Sequence, residues 1–203
     1  MTMKKKIAFV FLILLMAFFS ASAQTEHTLF FKQSMKTNNT GMYILGSWAV
    51  ANLVAGGLGW SQTTGQTKYF HQMNFFWNTV NISIAGFALY SNLNTDINIL
   101  SSAEMMEKHI KTENLYLINA GLDVLYIGTG FLLKHLATKK PNRHDLLKGY
   151  GNSVILQGSF LFIFDLVLWK IQHDHRLNFI QNLSFNCIPE ISGFQLAMTI
   201  PVN

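Results

Sequence analysis

The sequence predicts an all-α membrane protein: a bundle of four transmembrane helices after a signal peptide, with a small β-hairpin at the C-terminus. Two features of composition and one of pattern predict it. Charged residues make up 12% of the 203, about half the quarter expected of a soluble globular domain. Four stretches, 41–59, 73–93, 114–133 and 149–169, hold only Asp123 and Asp165 among 81 residues. Each is about as long as a helix needs to be to cross the roughly 30 Å hydrocarbon core at 1.5 Å per residue. The composition argues against an ordinary soluble enzyme, a disordered chain and a disulfide-built domain.

The elements follow in order. Lys4, Lys5 and Lys6 precede the apolar run Ile7–Phe19 and then Ser20-Ala-Ser-Ala23, the charged, apolar and small-residue order of a secretory signal peptide. Cleavage after Ala23 leaves 180 residues with 12 basic and 10 acidic groups, a net charge of +2 in place of +5. A nucleic-acid partner thereby loses its main support. Residues 24–40 are polar and show no period, and are expected to form a flexible extracytoplasmic segment. Residues 41–172 then make the bundle. Its connections are short, so neighbouring helices run antiparallel.

Loop charge sets the orientation. With the mature N-terminus outside, loops 60–72 and 134–148 face the cytoplasm. The second of these carries Lys134, Lys139, Lys140, Arg143 and Lys148, as the positive-inside rule requires. Loop 94–113 mixes both signs and faces out. An uncleaved signal adds a fifth helix without changing the orientation. In the extracytoplasmic tail, 173–203, Leu183, Phe185 and Cys187 alternate with Ser184 and Asn186, and Phe194, Leu196, Met198 and Ile200 with Gln195, Ala197 and Thr199, around Pro189 and Gly193. That alternation predicts the hairpin. Cys187 is the only cysteine, which excludes an internal disulfide.

Polar residues recur inside the predicted spans at helical spacing. His71, Asn74, Asn78, Asn81 and Ala85 share one face of helix two. Tyr116, Asn119, Asp123, Tyr126 and Gly130 repeat those offsets on helix three, and Leu45, Trp48, Asn52, Ala55 and Gly59 on helix one. Helix four adds Gln157 and Asp165 on one side. Lipid cannot satisfy an amide or a carboxylate, so these stripes face partner helices. Depth places Asn78, Asn81, Asp123 and Gln157 near the midplane and Asn52 slightly inside it. His71 and Asn74 fall at the inner mouth, Asn119 and Asp165 toward the outside. The simplest arrangement is one hydrogen-bonded column centred on Asp123.

Two readings of that column stand side by side. In one, the amides and a protonated Asp123 hold helices together at about 0.6 kcal/mol per bond. In the other, Asp123 binds a proton, a cation or a polar ligand, with Asn52, Asn78, Asn81 and Gln157 as neutral partners. An isolated carboxylate at the bilayer centre costs at least about 2.5 kcal/mol, which asks for a partner or a functional role.

Other chemistry finds less support. Haem needs histidines from facing helices, and only His71 lies near a span, so no cofactor is expected. An inner-mouth metal cluster of His71, His135 and His144 is geometrically conceivable, and His173-Asp-His175 reads as solvated interface. There is no phosphate-binding loop, nucleophile elbow or HExxH pair.

Gly46-Ser-Trp-Ala-Val-Ala-Asn52, Tyr69-Phe-His-Gln-Met-Asn74 with Trp77, Asn78 and Asn81, Leu122-Asp123 with Tyr126, and Gln157-Gly158 with Asp165 carry a resemblance. Over helices one to four the chain resembles a family of small polytopic membrane proteins from Bacteroidota that has no assigned activity. The resemblance implies a membrane fold and no reaction. The expectation is a multi-pass protein of the inner membrane, leaning away from an enzyme. It would act as a packing or interaction module within an oligomer or envelope complex, with a small transporter or a proton- or ligand-binding protein centred on Asp123 as the alternative.

Overall fold

The computed structural model describes the backbone of residues 3–186 and the side chains of residues 24–183. Four helices account for almost all of it: α1 (Met3–Gln62), α2 (Gly65–Leu93), α3 (Ser102–Lys139) and α4 (His144–Asn186). Their ends are set locally. Thr63 and Thr64 alone separate α1 from α2, and Gly65 makes the reversal with φ of +56°, a conformation that costs glycine little. Ser101 and Glu104 form a capping box at the start of α3, a cap contributing about 1 kcal/mol. Pro141 starts a 3-10 turn, Pro141–Arg143, after α3, because proline has no N–H with which to continue an α-helix.

α1 with α2, and α3 with α4, form antiparallel pairs. α2 and α4 run parallel and join them. On α3 the buried positions His109, Tyr116, Asp123, Gly130 and Ala137 recur every seven residues. Against them α4 sets Gln172, Asp165, Gly158 and Gly151, also spaced by seven. A strict seven-residue repeat keeps two helices in contact through a shallow left-handed crossing. Two glycines tighten this seam: a Cβ on Gly151 would lie 2.6 Å from the Gly130 carbonyl oxygen, and one on Gly130 would lie 2.8 Å from that of Gly151. Gly149 does the same between α4 and α2, where a Cβ would meet the Gln66 carbonyl oxygen at 2.5 Å.

Three of the sequence expectations change. Residues 24–40 are helical, a direct continuation of α1, with Phe30, Phe31 and Ser34 buried. Phe30 and Phe31 pack with Met105 of α3 beside Phe179 of α4, and that apolar contact orders the segment. Second, α4 runs on through Asn186, so the first arm of the expected hairpin is helical at its start, and no strand occurs among the described residues. Alternation misleads there because so few positions alternate, and a helix already formed adds the next residue at little cost. The second arm, around Phe194–Ile200, lies outside the described residues. Third, α1 over Gln24–Gln62, α3 and the α4 segment are long and apolar enough to cross a membrane. α2 is not among them despite its 29 residues, because its many asparagines dilute its apolar character.

The register yields a test. Replacing Gly151 by Leu forces the α3 and α4 backbones apart and should destabilise the purified protein by about 1–3 kcal/mol, as overpacking does. Gly128 has nothing within 4 Å of where its Cβ would sit. Gly128→Ala should therefore be neutral or stabilising by up to about 1 kcal/mol through helix propensity. Equal melting temperatures for both variants would contradict the register.

Candidate functional site

The inward polar residues of the four helices form two groups. The first is an amide cluster. Asn74 on α2 donates through Nδ2 to Asn52 Oδ1 on α1 at 2.8 Å, Asn52 Nδ2 to the Trp48 carbonyl at 2.8 Å, and Trp48 Nε1 to Gln157 Oε1 on α4 at 2.9 Å. Gln157 Nε2 donates to Asn74 Oδ1 and, at 3.4 Å, to Asn52 Oδ1. Asn78 Nδ2 donates to the Asn74 carbonyl at 2.8 Å, and Asn81 Nδ2 to Asn78 Oδ1 at 3.3 Å. Asn78 and Gln157 are fully buried. Three helices are thus joined by amides that satisfy one another, the arrangement in which buried polar groups cost least.

The second group is a carboxyl pair. Asp123 on α3 and Asp165 on α4 are 2% and 5% exposed, and their carboxyl groups interact directly. Asp123 Oδ2 is buried and has no hydrogen-bond partner. Neither stretch 114–133 nor 149–169 contains a Lys or Arg, so no cationic side chain from these stretches balances the pair. The two aspartates start from different levels of the bundle, and in an antiparallel pair their side chains, each tilted toward its own helix N-terminus, lean toward one another. The seven-residue register sets Asp123 opposite Gly158, and Asp165 lies two turns further along α4, on the same face, within reach of a side chain crossing the seam.

Beside the pair lies a cavity of about 360 Å³. Asp123, Asp165, Asn81, Asn119, Tyr116 and Tyr126 supply its polar lining, and Trp77, Leu45 and Phe164 much of the rest. It exists because α2 and α3, though consecutive, hardly touch. Trp77 bridges them by meeting Tyr126 edge to face with ring centroids 4.9 Å apart. Asn81 belongs to both groups, since it lines the cavity and donates to Asn78.

The remaining sequence candidates fall outside the pair. Asn119 is exposed and borders the cavity without a place in the amide cluster. His71 packs against Gly59, where a Cβ would lie 2.3 Å from the imidazole. Among the described residues no group of three or more His, Cys, Asp or Glu could hold a metal ion, so His71, His135 and His144 do not converge.

A family model of unknown function, DUF6992, matches residues 44–166. The chain belongs to the DUF6992 family. The DUF6992 region begins one residue before Leu45 and ends one residue after Asp165, so it contains the whole amide cluster and both carboxyls. No curated protein and no solved structure matches the chain.

One polar cluster departs from the sequence expectations, which read His173 and His175 as solvated: His173 pairs with Glu113, and His175 bonds the Phe30 carbonyl at 3.0 Å and stacks on the Phe30 ring. It lies where α1, α3 and α4 extend beyond α2. Ser34 Oγ donates to His109 Nδ1 at 2.7 Å, and His109 Nε2 to the Gln172 carbonyl at 3.1 Å. Gln172 Nε2 closes the loop by donating to the Ser34 carbonyl at 3.0 Å. One turn away Arg176 makes a forked pair with Glu113, at 2.7 and 3.0 Å, and His173 Nδ1 lies 2.6 Å from Glu113 Oε1. The signal for it is the seven-residue spacing of α3, which continues backward from Asp123 through Tyr116 to His109.

Burial pushes His109 down from the ordinary 6.5 to about 4; Glu113, 3.7 Å away, opposes that shift, while His175 and Arg176 add to it. Burial also opposes ionisation of Glu113, but its bonds to Arg176 and His173 outweigh that and hold it below 4.5. Between about pH 6.5 and 4 the unfolded chain binds a proton at His109 that the folded chain does not. Stability should therefore be full above that window and fall on acidification through it. Glu113 adds a loss of the same sign at lower pH. Thermal melts of the purified protein should show this slope, and His109→Gln should flatten it between pH 6.5 and 4; an unchanged slope would mean that His109 is not buried neutral.

Proposed function

We propose that the chain is a non-enzymatic, multi-pass protein of the cytoplasmic membrane that holds a proton or a cation at Asp123 and Asp165. The observation that carries this reading is the buried, unpartnered Asp123 Oδ2 beside a second carboxyl with no cationic side chain in either stretch. Two carboxylates in contact repel, and the usual resolution is that they share one proton or take up a positive charge. A pair kept only for packing would more economically be two amides, as the neighbouring Asn and Gln cluster illustrates. That cluster has the structural role, because its bonds fix how α1, α2 and α4 meet.

Membrane residence is supported by three helices of sufficient length and apolarity. It is supported also by large apolar side chains turned outward along them, among them Val54, Leu115, Leu125, Phe131 and Ile163, each more than half exposed. A soluble monomer rarely presents so much contiguous apolar surface. α2, the least apolar of the four, would cross with its asparagines turned to the amide cluster. Lys134, Lys139, Lys140, Arg143 and Lys148 gather at one end, which would face the cytoplasm. The Ser34–His109–Gln172 cluster would then stand outside the opposite surface, since 38 residues of α3 extend roughly 57 Å against a core of about 30 Å.

Infrared spectroscopy of the purified protein through a pH titration tests the carboxyl reading. The wild type should show a protonated-carboxyl signal corresponding to one group, and both Asp123→Asn and Asp165→Asn should abolish it, because the remaining carboxylate can then accept from the new amide. A wild type without that signal, or one whose signal survives in both variants, would sink the proposal.

A further inference from the structure

We infer that the cavity beside Asp123 and Asp165 is a binding site for a lipophilic organic monocation, an alkylammonium whose head sits against the carboxyl pair and whose tail leaves between α2 and α3. This rests on reading the pair as a site that holds positive charge and adds the class of ligand. Size favours an organic ligand. At about 360 Å³ the cavity falls within the range of small-molecule pockets, and a bare ion would leave most of it unfilled.

The chemistry of the walls agrees. A hard metal cation needs six or more oxygen ligands at close range, whereas most of this lining is apolar or aromatic. Asp123, 2% exposed and with Oδ2 unpartnered, is among the residues that line the cavity, and an ammonium N–H is the donor that its carboxyl lacks. Trp77 and Tyr126, meeting edge to face across the gap, offer ring faces that attract an ammonium or its polarised neighbouring methylenes. Charge also matches: a pair that shares one proton carries a single net negative charge, the complement of a monocation.

Access selects the tail. Val80 and Ile84 on α2 and Leu122 on α3 line the cavity and are 58%, 51% and 42% exposed. The opening therefore faces sideways between two helices that hardly touch, toward what would be the acyl chains. A ligand entering there needs an apolar tail, and the cavity's polar end selects a charged head.

Calorimetric titration of the full-length protein in lipid nanodiscs, with empty discs subtracted, compares octylammonium with octanol. Saturable binding of octylammonium is expected, at least tenfold tighter than octanol. The Asp123→Asn, Asp165→Asn double variant should weaken octylammonium at least tenfold and leave octanol unchanged, and Trp77→Leu should weaken octylammonium by roughly threefold or more. Equal binding of octanol, or full octylammonium affinity in the double variant, overturns the inference. So does the absence of saturable binding to a wild type whose melting curve is cooperative. In that last case the infrared signal of the shared proton stands or falls by itself, which separates failure of the ligand class from failure of the carboxyl site.

Discussion

Gly130 and Gly151 bring two helix backbones so close that the carbonyl oxygen of each lies within 3 Å of where the other's Cβ would be. That contact fixes the register of α3 against α4, and a helix pair with a seven-residue repeat carries the register along its whole length. Three levels of the molecule follow from it. Gly158 comes opposite Asp123, leaving room for Asp165 to reach back across the seam. His109 meets the Gln172 carbonyl two repeats further along. The ends of both helices near His109 and Gln172 are thereby aligned to receive Phe30 and Ser34 of α1.

The interior then distributes its polar groups unevenly. On the α1, α2 and α4 side the amides of the cluster donate to and accept from one another, so these residues add specificity to packing at small cost. On the α3 side two acids face each other and one oxygen is left without a partner. Burial of an unpaired charged group is expensive and is kept where it serves a function. The contrast within one bundle, a few residues apart, identifies the carboxyl pair as the feature that packing alone does not explain.

Much of the interior was legible in the sequence. The stripe His71, Asn74, Asn78, Asn81 and Ala85 lies on the inward face of α2, because asparagines at helical spacing in an apolar stretch have nowhere else to go. Helix α3 was half legible: Tyr116, Asp123 and Gly130 are buried, while Asn119 and Tyr126 border an opening, since the cavity leaves those positions without a helix opposite. The partner of Asp123 was not legible. Depth along each helix, counted from the ends of apolar stretches, assumes untilted helices cut off at the membrane surface. α3 and α4 overrun their stretches on both sides, so their register is set by the glycines and not by those ends. The ordered α1 segment 24–40 was missed because its burial is against residues far away in sequence, Met105 and Phe179, and periodicity within a polar stretch carries little of that information.

A double-substitution cycle on folding free energy tests most directly the central claim, that Asp123 and Asp165 are held together for charge and not for packing. Unfolding of the wild type, Asp123→Asn, Asp165→Asn and the double variant would be measured at neutral pH. If the pair is a charge site, neither single substitution destabilises the protein, because each relieves two acids in contact, and the singles are non-additive since either one removes the same conflict. If instead each substitution costs about 1–2 kcal/mol and the costs combine as for an interhelical hydrogen bond, the pair is a packing contact and the charge-site claim is contradicted.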